Sequence, residues 1–223
     1  DALVKGLMEQ IAFEARSSEY IDKKSGVSAR LTITAYENLI SNAERRMLIN
    51  DESQTFVRIS DFLGVIPAIT GKIELVYEGE LEGPAKVANI LVGKAIKTLM
   101  SQYFPDPKKL KKSKATNPYA DVIGWFGSGN SVNIHDDLPA EEYKTLLNKV
   151  PGLKNVIKQF HPRLSENQHL LLMEFLLHGL AEFSQVSKTY LENGYEFKDM
   201  FNSLFSSSFD DEDDEYNDNN LRY

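Results

Sequence analysis

The stretch that decides the fold is DKKSGVSARLTITAYENLISNAERR, residues 22–46. Its opening is polar and carries Gly26, the composition of a loop. Further on, Tyr36, Leu39, Ile40, Ala43 and Met47 recur at three- and four-residue spacings, the apolar stripe of an α-helix. Ser28 is a suitable N-cap for that helix, and Thr34 with Glu37 offers a capping box further in. Asn50 and Asp51 mark its end.

The same period extends outward in both directions. In residues 2–16, Leu3, Leu7, Ile11 and Ala15 stand four apart with Val4, Met8 and Ala12 beside them, which predicts a helix with a wide apolar face. Thr55 to Ile59 (TFVRI) alternates and is rich in β-branched residues, so a brief extended piece is expected there. Ser60 is placed to cap a third helix, with Asp61 at its positive end and Pro67 to bend or end it. After a charged break at Gly79–Gly83, Pro84 opens a long helix running through Val87, Leu91, Ala95, Ile96 and Leu99 to Pro105. The Lys-rich stretch 106–118 reads as an exposed connection. Further helices are predicted at 119–126, 139–149 and 152–161. The last long helix runs from Ser165, where Gln168 completes a capping box, to Asn193-Gly194. A short aromatic segment, 197–209, leads into a tail too acidic and polar to fold. No series of strand–helix–strand units is present, so the expected class is all-α.

Composition bounds the function. With 223 residues, 42% hydrophobic and 26% charged, the chain has the makings of one large domain or two modest ones. The most apolar stretch, Leu170 to Leu180, is interrupted by Glu174 and His178 and reads as a buried helix, not a membrane span. The N-terminus lacks the basic and apolar regions of a secretory signal, and it lacks an initiator Met, as expected of a piece of something larger. Cysteine is absent, which excludes disulfides, zinc–thiolate sites and thiol nucleophiles and suits a cytoplasmic setting. Seven acidic residues follow Phe209 (Asp210, Asp211, Glu212, Asp213, Asp214, Glu215 and Asp218) against Arg222 alone. Most of the net charge of -8 therefore sits in the tail.

Chemical motifs are few. The glycines of GWFGSGNS, residues 124–131, are followed by no Lys-Ser/Thr pair, so no loop here cradles phosphates and the chain alone is expected not to hydrolyse a nucleotide. His135, His161, His169 and His178 show no zinc-type spacing. His135-Asp136-Asp137 reads as a polar loop beside a helix in preference to a cation site, and His178 as a core residue in preference to a catalyst. Lys108, Lys109, Lys111, Lys112 and Lys114 read as a solvated loop in preference to a grip on an anion, and nucleic acid is not an expected partner.

The segment quoted at the outset resembles the C-terminal helical lid of AAA+ ATPases, and more narrowly the lid of the magnesium chelatase I-subunit and MoxR branch. In those families a Gly-Val-Ser-x-Arg element opens a lid helix, and its arginine is the sensor 2 residue. Gly26, Val27, Ser28 and Arg30 occupy those positions. The chemistry agrees: a guanidinium at a helix start lies near exposed amides and positive dipole, and its fork holds two phosphate oxygens at once. The resemblance covers about residues 1–78, with VRISDFLGVIPA, residues 57–68, where such lids have their closing helix.

It implies an AAA+ lid bundle at 1–78, an accessory helical domain at 79–205 and an acidic disordered tail at 206–223. It also implies ATP and Mg²⁺ held in the parent protein by an upstream nucleotide-binding domain, a homo-oligomeric ring, and a partner with a von Willebrand factor A-type domain. Arg30, with Ser28 and Gly26, would attend the γ-phosphate. Arg45 and Arg46 read as solvated or subunit-facing. A rival reading is a free-standing helical module that binds another protein.

Overall fold

A computed structural model describes residues 1–24, 26–112 and 116–200 of the chain. Helix α1 (Ala2–Ser17) begins where the Asp1 side chain accepts a hydrogen bond from the Leu3 amide at 2.8 Å, and it buries Leu3, Leu7, Ile11 and Ala15. Helix α2 (Leu31–Ile49) buries Leu31, Ala35, Leu39 and Ala43. A 3₁₀ turn (Ser60–Val65) runs directly into α3 (Ile66–Thr70), and α4 (Tyr77–Glu82) precedes α5 (Pro84–Tyr103). Then come α6 (Pro107–Lys112), α7 (Ala120–Gly127), strand β1 (Val132–His135), α8 (Ala140–Asn148), α9 (Leu153–Phe160) and α10 (Glu166–Glu182). Strands β2 (Ser187–Leu191) and β3 (Gly194–Lys198) complete the described chain.

The architecture is mainly helical, and the all-α expectation is corrected by a small three-stranded sheet. Helix α5 packs between α1 and α10, and every residue of α10 from Leu170 to Leu180 is buried. Each fully buried Leu or Ile in this centre contributes about 1.5–3 kcal/mol. The helices approach closely at Gly179, where an added Cβ would lie 1.9 Å from the sulfur of Met100 on α5. One continuous cluster of buried side chains runs from Leu3 to Phe197, and the expected boundary at 78/79 falls inside α4. The expected tail, 206–223, and most of the aromatic segment 197–209 lie outside the described residues.

Several local expectations are corrected. Residues 187–198 form a hairpin instead of the end of the last helix, and β3 pairs antiparallel with both β2 and β1, in the order β1-β3-β2. Helix α10 stops earlier because Ser184 turns left-handed (φ 54°). The amides of Gln185 and Ser184 then bond back to Leu180 and Ala181 at 2.9 and 2.8 Å, a Schellman closure. At Asn193-Gly194, read as a helix stop, the chain instead leaves the two-residue turn Glu192-Asn193 and enters β3 at Gly194, which pairs with Leu191. Pro67, expected to bend or end the helix begun at Ser60, sits in the first turn of α3, where the 3₁₀ turn gives way to an α-helix. Residues read as breaks or connections, 79–83 and 106–118, include parts of the short helices α4 and α6. TFVRI forms no strand, and Ile59 at its end is already in helical conformation (φ -68°, ψ -33°).

Candidate functional site

The Gly26–Arg30 element lies at the head of α2, held against the segment that follows α3. Bridges pair Ile21 with Leu75 and Val27 with Ile73, and the Ser28 amide donates to the Lys72 carbonyl at 3.1 Å. Gly26 adopts φ +73°, a left-handed turn that glycine takes at little cost, with its amide donating to the Asp22 carbonyl at 3.1 Å. The Ser28 hydroxyl accepts from the Arg30 amide at 3.3 Å, and the Ser28 carbonyl accepts from the Leu31 amide at 3.0 Å. Ser28 thus fixes a turn just before the helix, while Arg30 itself occupies the capping position and no side chain caps the helix. The Thr34–Glu37 capping box does not form, because Thr34 is already inside α2 and its amide bonds to the Arg30 carbonyl at 3.0 Å.

The Arg30 side chain is exposed, and among the described residues its guanidinium makes no ion pair and no hydrogen bond, Glu37 included. One turn further along the same face, Ile33 is 61% exposed and Tyr36 41%. These two residues, with Thr32 and Glu37 of α2 and Lys5 and Met8 of α1, border an open groove of about 490 Å³. Arg30, its charge uncommitted, therefore precedes in sequence the α2 residues that border a partly apolar groove between α1 and α2, without lining the groove itself.

A second group of charged side chains is buried and was largely missed. Arg46, read as solvated or subunit-facing, is 0% exposed and meets Asp61 at 3.1 Å, also 0% exposed. Its NH2 also donates to the Phe56 carbonyl at 2.7 Å. A long guanidinium on the polar side of a helix in sequence is drawn inward here by the carboxylate and carbonyl of residues 55–61. Asp61, expected to face a helix dipole, instead accepts the Arg58 amide at 2.7 Å. Burial pushes its carboxyl up to about 7, although Arg46 pulls the other way. Arg58 donates to the Leu138 carbonyl at 2.6 Å and lies 4.1 Å over the ring of Tyr143, a cation–π contact. Arg45 is half-exposed and pairs with Asp136 at 3.0 Å, so the His135-Asp136-Asp137 loop is tied to α2.

Glu174 stands at the centre of this arrangement. Its carboxylate accepts the amides of Ile59 and Ser60 at 2.7 and 2.9 Å and the Tyr143 hydroxyl at 2.8 Å. It thereby caps the 3₁₀ turn, the role the sequence had suggested for Ser60. His178, one turn along, is held neutral by burial and packs edge-on against Tyr195 and Phe197, with ring centroids 4.6 and 5.0 Å away. The signal for this centre was the pair Glu174 and His178 inside an otherwise apolar run, since such groups are retained in a core only with partners.

No protein-family model, no curated protein and no solved structure matches the chain. Among the described residues no helix is long and apolar enough to cross a membrane.

Proposed function

We propose that the chain is the C-terminal part of an AAA+ ATPase of the magnesium chelatase I-subunit and MoxR branch. Residues 1–78 act as its lid and residues 79–205 as an accessory helical region. The observation that carries this reading is the uncommitted guanidinium of Arg30 in the Gly26–Arg30 element. A buried arginine, or one paired with Glu37, would be unable to reach a nucleotide on another domain. The groove between α1 and α2, with Ile33 and Tyr36 exposed, is a surface against which an upstream nucleotide-binding domain can close.

In this reading ATP and Mg²⁺ are held upstream, and the chain itself contributes one bidentate donor to the γ-phosphate. Ser28 and Gly26 fix the turn that presents Arg30. Loss of that phosphate on hydrolysis frees the lid to rotate. The rotation is transmitted through α2, whose Arg46 and Arg45 are tied to the 3₁₀ turn and to the β1–α8 loop. Glu174 carries the connection on to α10. A ring of such subunits would pass the state to neighbours and to a von Willebrand factor A-type partner.

The test is ATP turnover by the complete ATPase carrying Arg30→Ala. We expect a fall of about a hundredfold, the scale for removal of one preorganised donor from a transferring group. Unchanged turnover removes the sensor role. The exposed Phe13, Ile33 and Tyr36 also favour a second reading, a free-standing helical module that binds another protein. The two part on one observation: whether the reading frame upstream of Asp1 encodes a GxxxxGK[ST] loop.

A further inference from the structure

The fold gathers positive charge where the sequence scattered it. Between Tyr143 and His169 the chain carries Lys144, Lys149, Lys154, Lys158 and Arg163 against a single carboxylate, Glu166. Helices α8, α9 and the start of α10 bring part of this set around a cleft of about 310 Å³, lined by Asn148, Lys154, Lys158 and His169 over a floor of Leu170 and Met173. Glu166, also on its rim, is held by Lys144 in an ion pair at 2.6 Å. Lys154 and Lys158 are exposed and, among the described residues, make no close ion pair, although Lys154 lies within electrostatic reach of Glu166. His169 directs Nδ1 to the Ser165 carbonyl at 3.0 Å, and its Nε2 is shielded from solvent without a hydrogen-bond partner. The cleft therefore offers an anion two ammonium groups, of which Lys154 is partly offset by Glu166.

We infer that this cleft receives the acidic run Asp210–Asp218 of the same chain. Charge complementarity is direct: seven carboxylates in a segment with no basic residue before Arg222 meet the local basic surplus of a chain that is otherwise acidic. The reach is sufficient. Strand β3 packs on His178, which lies nine residues from His169 on α10, a separation of about 14 Å at 1.5 Å per residue. The thirteen residues from Phe197 to Asp210 span at most about 45 Å. Phe209 precedes the acidic run and suits the apolar floor of Leu170 and Met173. This inference is independent of the ATPase reading.

Because the chain has no cysteine, Asn217→Cys gives one thiol for a nitroxide spin label in the full-length protein. The expected result is loss of the amide signals of residues 154–158 and 169 in its ¹⁵N spectrum. Those signals should return in Lys154→Glu/Lys158→Glu, and in about 1 M salt, where the screening length falls to about 3 Å. Circular dichroism of the double variant verifies its fold, since both lysines are exposed. Broadening centred on Lys108–Lys111, or no broadening, overturns the inference. Broadening seen only when labelled ¹⁴N protein is mixed with unlabelled ¹⁵N protein overturns it too, by making a second copy the occupant.

Discussion

The carboxylate of Glu174 accepts the amide of Ile59 at 2.7 Å across 115 positions of sequence, and both residues are buried. A helix-borne acid thus caps a distant 3₁₀ turn. The same carboxylate takes the Ser60 amide and the Tyr143 hydroxyl, so one side chain joins three separate segments.

Replacing Glu174 by Leu should therefore leave three buried donors without acceptors. At about 1–3 kcal/mol for each unsatisfied group, the loss should reach at least about 3 kcal/mol. Glu174→Gln, which keeps one acceptor oxygen, should cost less. Urea unfolding of the two variants measures the difference, and equal losses would show that the bonds to Ile59 and Ser60 carry little.

Asp61 makes a prediction about pH. Its carboxyl titrates at about 7 in the folded chain, above the ordinary value of 3.8, because burial outweighs the pull of Arg46. A raised folded value means the folded state holds the proton more tightly. The associated stability is complete below about pH 4 and is lost as pH rises through 7, at no more than about 1.4 kcal/mol per pH unit. Asp61→Asn, an uncharged stand-in for the protonated form, should flatten that part of the curve. Unfolding free energies of the two proteins between pH 4 and 8 measure it; parallel curves would mean that Asp61 stays ionised throughout.

Ser184 should accept glycine with profit. It holds φ 54° at the Schellman closure of α10, a conformation that costs an L-residue about 1 kcal/mol. Ser184→Gly should raise the thermal midpoint, as read by calorimetry.

Gly179→Ala should act in the opposite direction. The new Cβ would overlap the side chain of Met100, which is fully buried and would have to shift. A loss of about 1–3 kcal/mol is expected, and the double variant with Met100→Ala should regain part of it.

Arg30→Ala should leave stability within about 0.5 kcal/mol, because the side chain is exposed and unpaired among the described residues. A large drop in thermal midpoint would instead assign Arg30 a structural role.

Much of this molecule was legible from local pattern. The stripes of α1 and most of α5 were read residue by residue, as were the capping box of Ser165 with Gln168 and the N-terminal proline of α5. Of the stripe expected in α2, by contrast, only Leu39 and Ala43 are buried, and Tyr36 faces outward. The polar loop at 22–26 was legible too, and Gly26 turns within it. The hairpin was not legible: Asn193-Gly194 closes helices and hairpins alike, and the choice fell to Tyr195 and Phe197, which cover His178 only as a strand.

What the sequence alone determined is the mainly helical architecture, because helical period and caps act within a few residues and need no distant partner. Tertiary structure alone decided the fate of the charges. Arg46 is interior and Arg30 exterior, although each sits beside the apolar stripe of the same helix. The difference is that residues 55–61 bring a carboxylate and a carbonyl to the first and nothing among the described residues to the second. Whether a charge can be buried depends on the partners that desolvation requires, and those arrive from elsewhere in the chain.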